Sequence, residues 1–230
     1  MNSLILTLIS IVLKITVYFG ATALSRRVVS PFTTPILTAT IVMIVILSSF
    51  DISYEQYSSA KEWITSLLGP ATVALAVPLY KNREIIMEKL MPAVFGLVIG
   101  TLSTILSAVW ISKTLGLSDT IQATSAVKAV TTPVAIEAVV LIGGDPALAA
   151  AFVITSGIFG AVFGPALLTV TNISDPFSRG LGIGTVSHGI GTSQAVAEGP
   201  VTGAVSSVAM GASAIITSII LPWVYPLIQL

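Results

Sequence analysis

The sequence predicts an all-α, polytopic transmembrane protein of seven or eight spans, several of them broken by Gly or Pro. Three observations predict it. Hydrophobic residues fill 54% of the 230 positions and charged residues only 9%, where soluble domains carry roughly 25% charged residues. Mean hydropathy is +1.00. Four uncharged runs, 28–50, 90–112, 146–174 and 199–230, each exceed the roughly 20 apolar residues that a bilayer crossing needs. Ten basic and ten acidic side chains cannot cover a domain of this size in water, so a soluble enzyme is excluded.

In chain order, residues 2–24 are apolar apart from Lys14. A long Lys stem lets such a residue snorkel or face a protein interior, and no basic residue precedes the run as in a signal peptide, so a first span is expected. Run 28–50 is the second. Residues 51–62 hold three acids against one Lys and read as an amphipathic surface piece. Three Gly-, Pro- and Thr-rich segments then alternate with the remaining clean spans: 68–80, with Gly69, Pro70, Thr72 and Pro78; 128–146, with Thr131, Thr132, Pro133 and Glu137; and 180–200, with Ser187, His188, Gly189, Gly191, Thr192, Ser193, Glu198 and Pro200. Backbone freed by such breakers must be satisfied by protein or by cavity water, so these segments are expected to line a site. If all three cross, the total is eight spans. Arg26, Arg27, Lys81, Arg83 and Lys89 then mark the cytoplasmic loops, with both termini outside.

A shift of 120 residues lays Gly69, Thr72 and Ala76 on Gly189, Thr192 and Val196, which suggests one domain, 1–230, built of related halves 1–115 and 116–230. Interrupted segments in corresponding places of two halves point to a midplane binding site. The pairs Gly96/Gly100, Gly160/Gly164 and Gly199/Gly203 form GxxxG motifs that let helices approach closely, within the chain or in a homo-oligomer.

Several chemistries are excluded. Zero net charge without a basic block argues against nucleic acid, which needs clustered Lys and Arg. The absence of cysteine removes disulfides, thiol catalysis and Cys-bound zinc. His188 is the only histidine and adjoins Ser187, so the two face different ways on a helix and make a poor catalytic pair. Gly180, Gly182 and Gly184 lack the preceding strand of a dinucleotide fingerprint. No enzyme activity, no metal and no cofactor are expected, beyond a coupling proton or sodium ion.

The candidate chemistry is anion binding. Broken-helix termini supply donors and positive potential, and the hydroxyls of Thr72, Thr131, Thr132, Ser187, Thr192 and Ser193 stand beside them. Glu137, one turn after Pro133 in an uncharged stretch, and His188, with its near-neutral intrinsic pKa, are the ion-coupling candidates, with Glu198 behind them. Lys128 and Arg179 precede two breaker segments and could draw an anion, although the reading as loop topology signals is favoured.

The runs 69–80, 131–137 (Thr-Thr-Pro-Val-Ala-Ile-Glu) and 187–192 (Ser-His-Gly-Ile-Gly-Thr) resemble the LrgB/CidB membrane-protein family and the C-terminal half of the plastid glycolate/glycerate translocator. The resemblance covers essentially the whole chain. It implies two functions: transport of small monocarboxylates such as pyruvate, glycolate or glycerate, or antiholin-like regulation of murein hydrolases and autolysis. It also implies a small LrgA/CidA-like membrane partner and a multi-pass location in the inner or plasma membrane. Central placement of the polar residues favours the carrier, because a holin-like lesion has no need of three interrupted segments in one chain.

Overall fold

A computed structural model describes residues 3–28, 30–74 and 76–229. The described residues are helical, without strands, and divide into two compact units, Met1–Ala74 and Leu75–Leu230.

The first unit holds α1 (Ser3–Arg27), a 3-10 turn (Pro31–Thr33), α2 (Pro35–Ser49), α3 (Tyr54–Ser66) and α4 (Leu68–Ala74). The acidic stretch after residue 50 is helical from Tyr54 on. Ser53 accepts from the Gln56 backbone N–H and the Gln56 side chain accepts from the Ser53 N–H, a reciprocal cap that fixes the helix start. Helices α1, α2 and α3 enclose an apolar hollow of about 620 Å³, and Lys14 lines it.

The second unit comprises α5 (Ala76–Lys81), α6 (Arg83–Glu88), α7 (Leu90–Thr114), α8 (Asp119–Ala126), α9 (Thr132–Val140), α10 (Pro146–Val170), α11 (Pro176–Glu198) and α12 (Pro200–Gln229). Helices α1, α7, α10 and α12 are long and apolar enough to cross a membrane, while α2 is shorter. Polarity is inverted relative to a soluble protein. Phe95, Ile99 and Trp110 of α7, Phe159 and Leu167 of α10, and Ile215, Ile219 and Trp223 of α12 face outward, while Thr101, Ser112, Thr185, Ser187, Thr192, Ser206, Ser213 and Thr217 are buried. Such an exposed apolar mantle is stable in lipid and not in water.

The second and third breaker segments differ from a simple crossing. In α11, Arg179 and Glu198 are 19 residues apart yet form a bidentate ion pair at 2.8 and 2.9 Å, whereas 19 residues of straight helix span about 28 Å. The chain reverses at His188, whose φ of 41° and ψ of −139° are non-helical, so α11 is a hairpin with arms 176–187 and 189–198. Helices α8 and α9 form another. The Asp145 N–H donates to Thr124 Oγ1 at 3.0 Å across 21 residues, and the tip lies at 127–131.

The hairpins enter from opposite ends of the bundle. At one end, Lys113 near the end of α7 donates to the carbonyls of Ile228 and Gln229, and Tyr225 donates to the Asp119 carbonyl, so α8 and α9 start and finish there. At the other end, Lys89 before α7 pairs with Asp175 before α11 at 3.3 Å, beside the Arg179–Glu198 pair. Asp175 caps α11, and the Ser178 hydroxyl and N–H that it accepts from hold its carboxyl below the usual carboxylate range.

The prolines that read as breakers in the sequence mostly begin helices. Pro133 falls in the first turn of α9 and Pro146, Pro176 and Pro200 open α10, α11 and α12, positions where the missing N–H costs nothing. Glycine sets the closeness of α11 and α12: a Cβ at Gly184 would strike the Ser206 carbonyl, and one at Gly180 would lie 2.5 Å from the Thr202 carbonyl. Gly184→Val is therefore expected to cost about 1–3 kcal/mol or more, whereas Gly182→Val, which meets nothing nearer than a Leu168 methyl at 4.0 Å, leaves stability nearly unchanged. Thermal unfolding of the two purified variants measures the difference, and equal melting temperatures would refute this packing.

Candidate functional site

Both hairpin tips end on the middle of α10. From one side, the Lys128 carbonyl accepts from Ser156 Oγ at 2.5 Å. From the other, His188 Nε2 lies 3.0 Å from the Val153 carbonyl, and because a carbonyl only accepts, this nitrogen carries the proton. Gly157 and Gly160 make room: a Cβ at Gly157 would lie 2.6–2.7 Å from the imidazole, and one at Gly160 would strike Ser187. Helix α7 passes both tips as well. Its first half packs on the first arm of α11, where a Cβ at Gly100 would lie 3.0 Å from a Thr185 methyl. Its second half packs on α8, where Ser112 donates to Ser125 at 3.1 Å. The handover falls between Gly100 and Ile105, where the Lys128 ammonium donates to the Thr104 carbonyl at 3.0 Å.

The reversal at His188 is held by hydrogen bonds. Thr192 donates to the His188 carbonyl at 2.8 Å and, its proton used, accepts from Ser206 Oγ at 2.9 Å. A positive φ on a residue other than Gly costs of order 1–3 kcal/mol and persists where the surroundings over-determine it. His188 is 3% exposed, and its ring is fixed by Val153 while its carbonyl is fixed by Thr192.

A family model described as LrgB-like matches residues 14–227. The chain belongs to the LrgB-like family. It is 35% identical over 224 residues to the uncharacterized protein YxaC of Bacillus subtilis, covering 97% of both chains. It is 32% identical over 222 residues to the holin-like protein CidB of Staphylococcus aureus, covering 96% of this chain and 97% of CidB, and 29% identical to CidB of Staphylococcus epidermidis. No solved structure matches the chain.

Of the sequence-predicted residues, Ser187, His188, Gly191 and Thr192 lie buried at the second tip, with Gly189 exposed beside them. Thr131 occupies the position before α9 at the first tip, without a side-chain capping hydrogen bond, and Thr132 and Pro133 open that helix. Ser193 is exposed and donates to the Ile190 carbonyl at 2.7 Å. Glu137 is away from both tips, in a hollow of about 500 Å³ shared by α9 (Pro133, Val134, Ala138, Leu141) and α12 (Ser218, Leu221, Pro222). Glu198 and the neighbouring Pro200 are at the mouth of the second hairpin. Gly69 and Pro70 are exposed in α4, and the side chains of Thr72 and Pro78 lie outside the described residues.

Two basic residues have larger roles than loop signals. Arg179 binds Glu198, the Ile173 carbonyl at 2.9 Å and the Pro165 carbonyl at 3.1 Å, tying both arms of α11 to the end of α10. Lys128 stands at the first tip. Spacing alone could not place either, because nothing local records that the chain doubles back. The Arg179 and Glu198 side chains are only 14% and 17% exposed, so Glu198→Gln or Arg179→Gln is expected to cost about 1–3 kcal/mol. The double variant should cost less than the sum of the two, in a thermal-unfolding cycle. Strict additivity would show that the pair does not hold the hairpin closed.

Proposed function

We propose that this protein is a membrane carrier of small monocarboxylates of the pyruvate, glycolate or glycerate kind. The observation that carries the reading is the convergence of two hairpin tips, entering from opposite ends, on the same two turns of α10. Opposed interrupted elements meeting at the midplane are a recurring way to build a substrate site that opens alternately to each side. The polar groups gathered there, Lys128, Ser156, Ser187, His188 and Thr192, suit a small anion better than an apolar solute. In this reading halves 1–115 and 116–230 move relative to one another, and a coupling proton or sodium ion binds at His188 or Glu137. Glu198 pairs with Arg179 and holds the second hairpin closed. The bundle end with Lys81, Arg83, Lys89 and Arg179 faces the cytoplasm of the inner or plasma membrane.

A second reading has support from two of the relatives: CidB of Staphylococcus aureus and CidB of Staphylococcus epidermidis are called holin-like. There, the chain would modulate murein hydrolases with a small LrgA/CidA-like partner and would transport nothing itself.

Reconstitution of the purified chain into liposomes separates the two. Saturable flux of labelled pyruvate or glycolate, sensitive to an imposed pH or sodium gradient, is the expected result. Glu137→Gln and His188→Ala are each tested for loss of gradient-driven accumulation with retained folding, and the variant that behaves as wild type is removed from the coupling step. No flux from folded protein, with or without the small partner, would favour the holin-like reading.

A further inference from the structure

The carrier reading leaves open which groups hold the anion, and two residues outside the runs 69–80, 131–137 and 187–192 answer to that role. Thr101 is 2% exposed, and its hydroxyl is the buried side-chain oxygen among the described residues that has no hydrogen-bond partner. A membrane Thr ordinarily satisfies itself by donating to the carbonyl one turn back, as Thr104 does to Thr101 at 2.7 Å and Thr185 to Leu181 at 2.7 Å. An orphaned buried hydroxyl is costly, and it is retained at the turn of α7 where the two hairpins hand over.

Lys128 reaches the same place from the opposite tip. Its ammonium donates to the Thr104 carbonyl, one turn beyond Thr101 and near the middle of the 25-residue α7. This is its only hydrogen bond among the described residues, and no carboxylate pairs with it: the ion pairs there are Arg83–Glu84, Lys89–Asp175 and Arg179–Glu198. An ammonium has three N–H donors, so two remain for another acceptor. A cation at this depth is expensive without a counter-charge, and no acidic side chain supplies one.

We propose that the Lys128 ammonium and the Thr101 hydroxyl together hold the carboxylate of a small monoanionic substrate between the two hairpin tips. The substrate's charge then neutralises Lys128, and one of its oxygens gives the Thr101 hydroxyl the acceptor that the protein withholds. One fixed cation selects a monoanion over a dicarboxylate, whose second charge would find no partner there. The assignment rests on the carrier reading and adds the residues that recognise the anion.

The test is calorimetric titration of the full-length protein in nanodiscs with sodium pyruvate, against sodium chloride at equal ionic strength, alongside liposome flux. Lys128→Met is expected to weaken pyruvate binding about 100-fold and Thr101→Val about 10-fold, from the loss of one charge-assisted hydrogen bond and one neutral one. Thr101→Ser and the distant charge control Lys113→Met should bind as wild type. Thr101→Val should also melt a few degrees higher, by about 2–4 °C, since it removes an unsatisfied hydroxyl without changing shape; a purely structural hydroxyl would give no such split between stability and binding. If Lys128→Met does not fold, the isosteric Thr101→Val decides. Wild-type affinity in Thr101→Val, or in folded Lys128→Met, overturns the assignment while leaving the carrier reading intact. Absence of both binding and flux in the folded wild-type protein overturns the two together.

Discussion

Inside a bilayer a chain reversal exposes peptide groups that no water can satisfy, and this constraint organises the second unit. At the first tip the Lys128 carbonyl is taken up by Ser156; at the second, the His188 carbonyl is taken up by Thr192, which is held in turn by Ser206. The buried carbonyl of Val153 on α10 receives the His188 ring. Polar side chains are therefore concentrated where the backbone is irregular, and the apolar ones are left to face lipid. A polar centre follows from the way the reversals are satisfied.

Small residues make that centre accessible to two hairpins at once. Gly157 and Gly160 leave α10 flat enough for His188 and Ser187 to reach it, and Gly180 and Gly184 bring α11 against α12. At the mouth, Arg179 and Glu198 close the second hairpin with a partly buried pair that also engages the end of α10. Tips fixed to one helix and mouths fixed at opposite ends give the two hairpins an approximately inverted arrangement, a layout that recurs among transporters.

Membrane class, helical content and the polarity of the breaker segments were legible in composition and in charge-free runs, because transfer into lipid depends on residue type more than on partners. The motif 187–192 stood out in the sequence for the same reason: Ser, His and Thr at membrane depth need an explanation. What was not legible was direction. Pro133, Pro146, Pro176 and Pro200 read equally as interruptions within a span and as first residues of new helices, and only long-range contacts such as Arg179–Glu198 or Thr124–Asp145 distinguish the two. The same ambiguity hid Lys128, which looks like a loop cation until its ammonium is seen to reach the Thr104 carbonyl. Thr101 sat in an unbroken apolar span with no local sign that its hydroxyl lacks an acceptor.

Entry of the two hairpins from opposite faces can be measured directly, because the chain contains no cysteine. Single cysteines placed at Ser118, Gly143, Asn172 and Ala197, all exposed, are labelled with a membrane-impermeant maleimide in oriented vesicles. Positions 118 and 143 are expected to be labelled from one face and positions 172 and 197 from the other. Labelling of 118 and 143, or of 172 and 197, from different faces would mean that the segment between them crosses the membrane, and would contradict this arrangement.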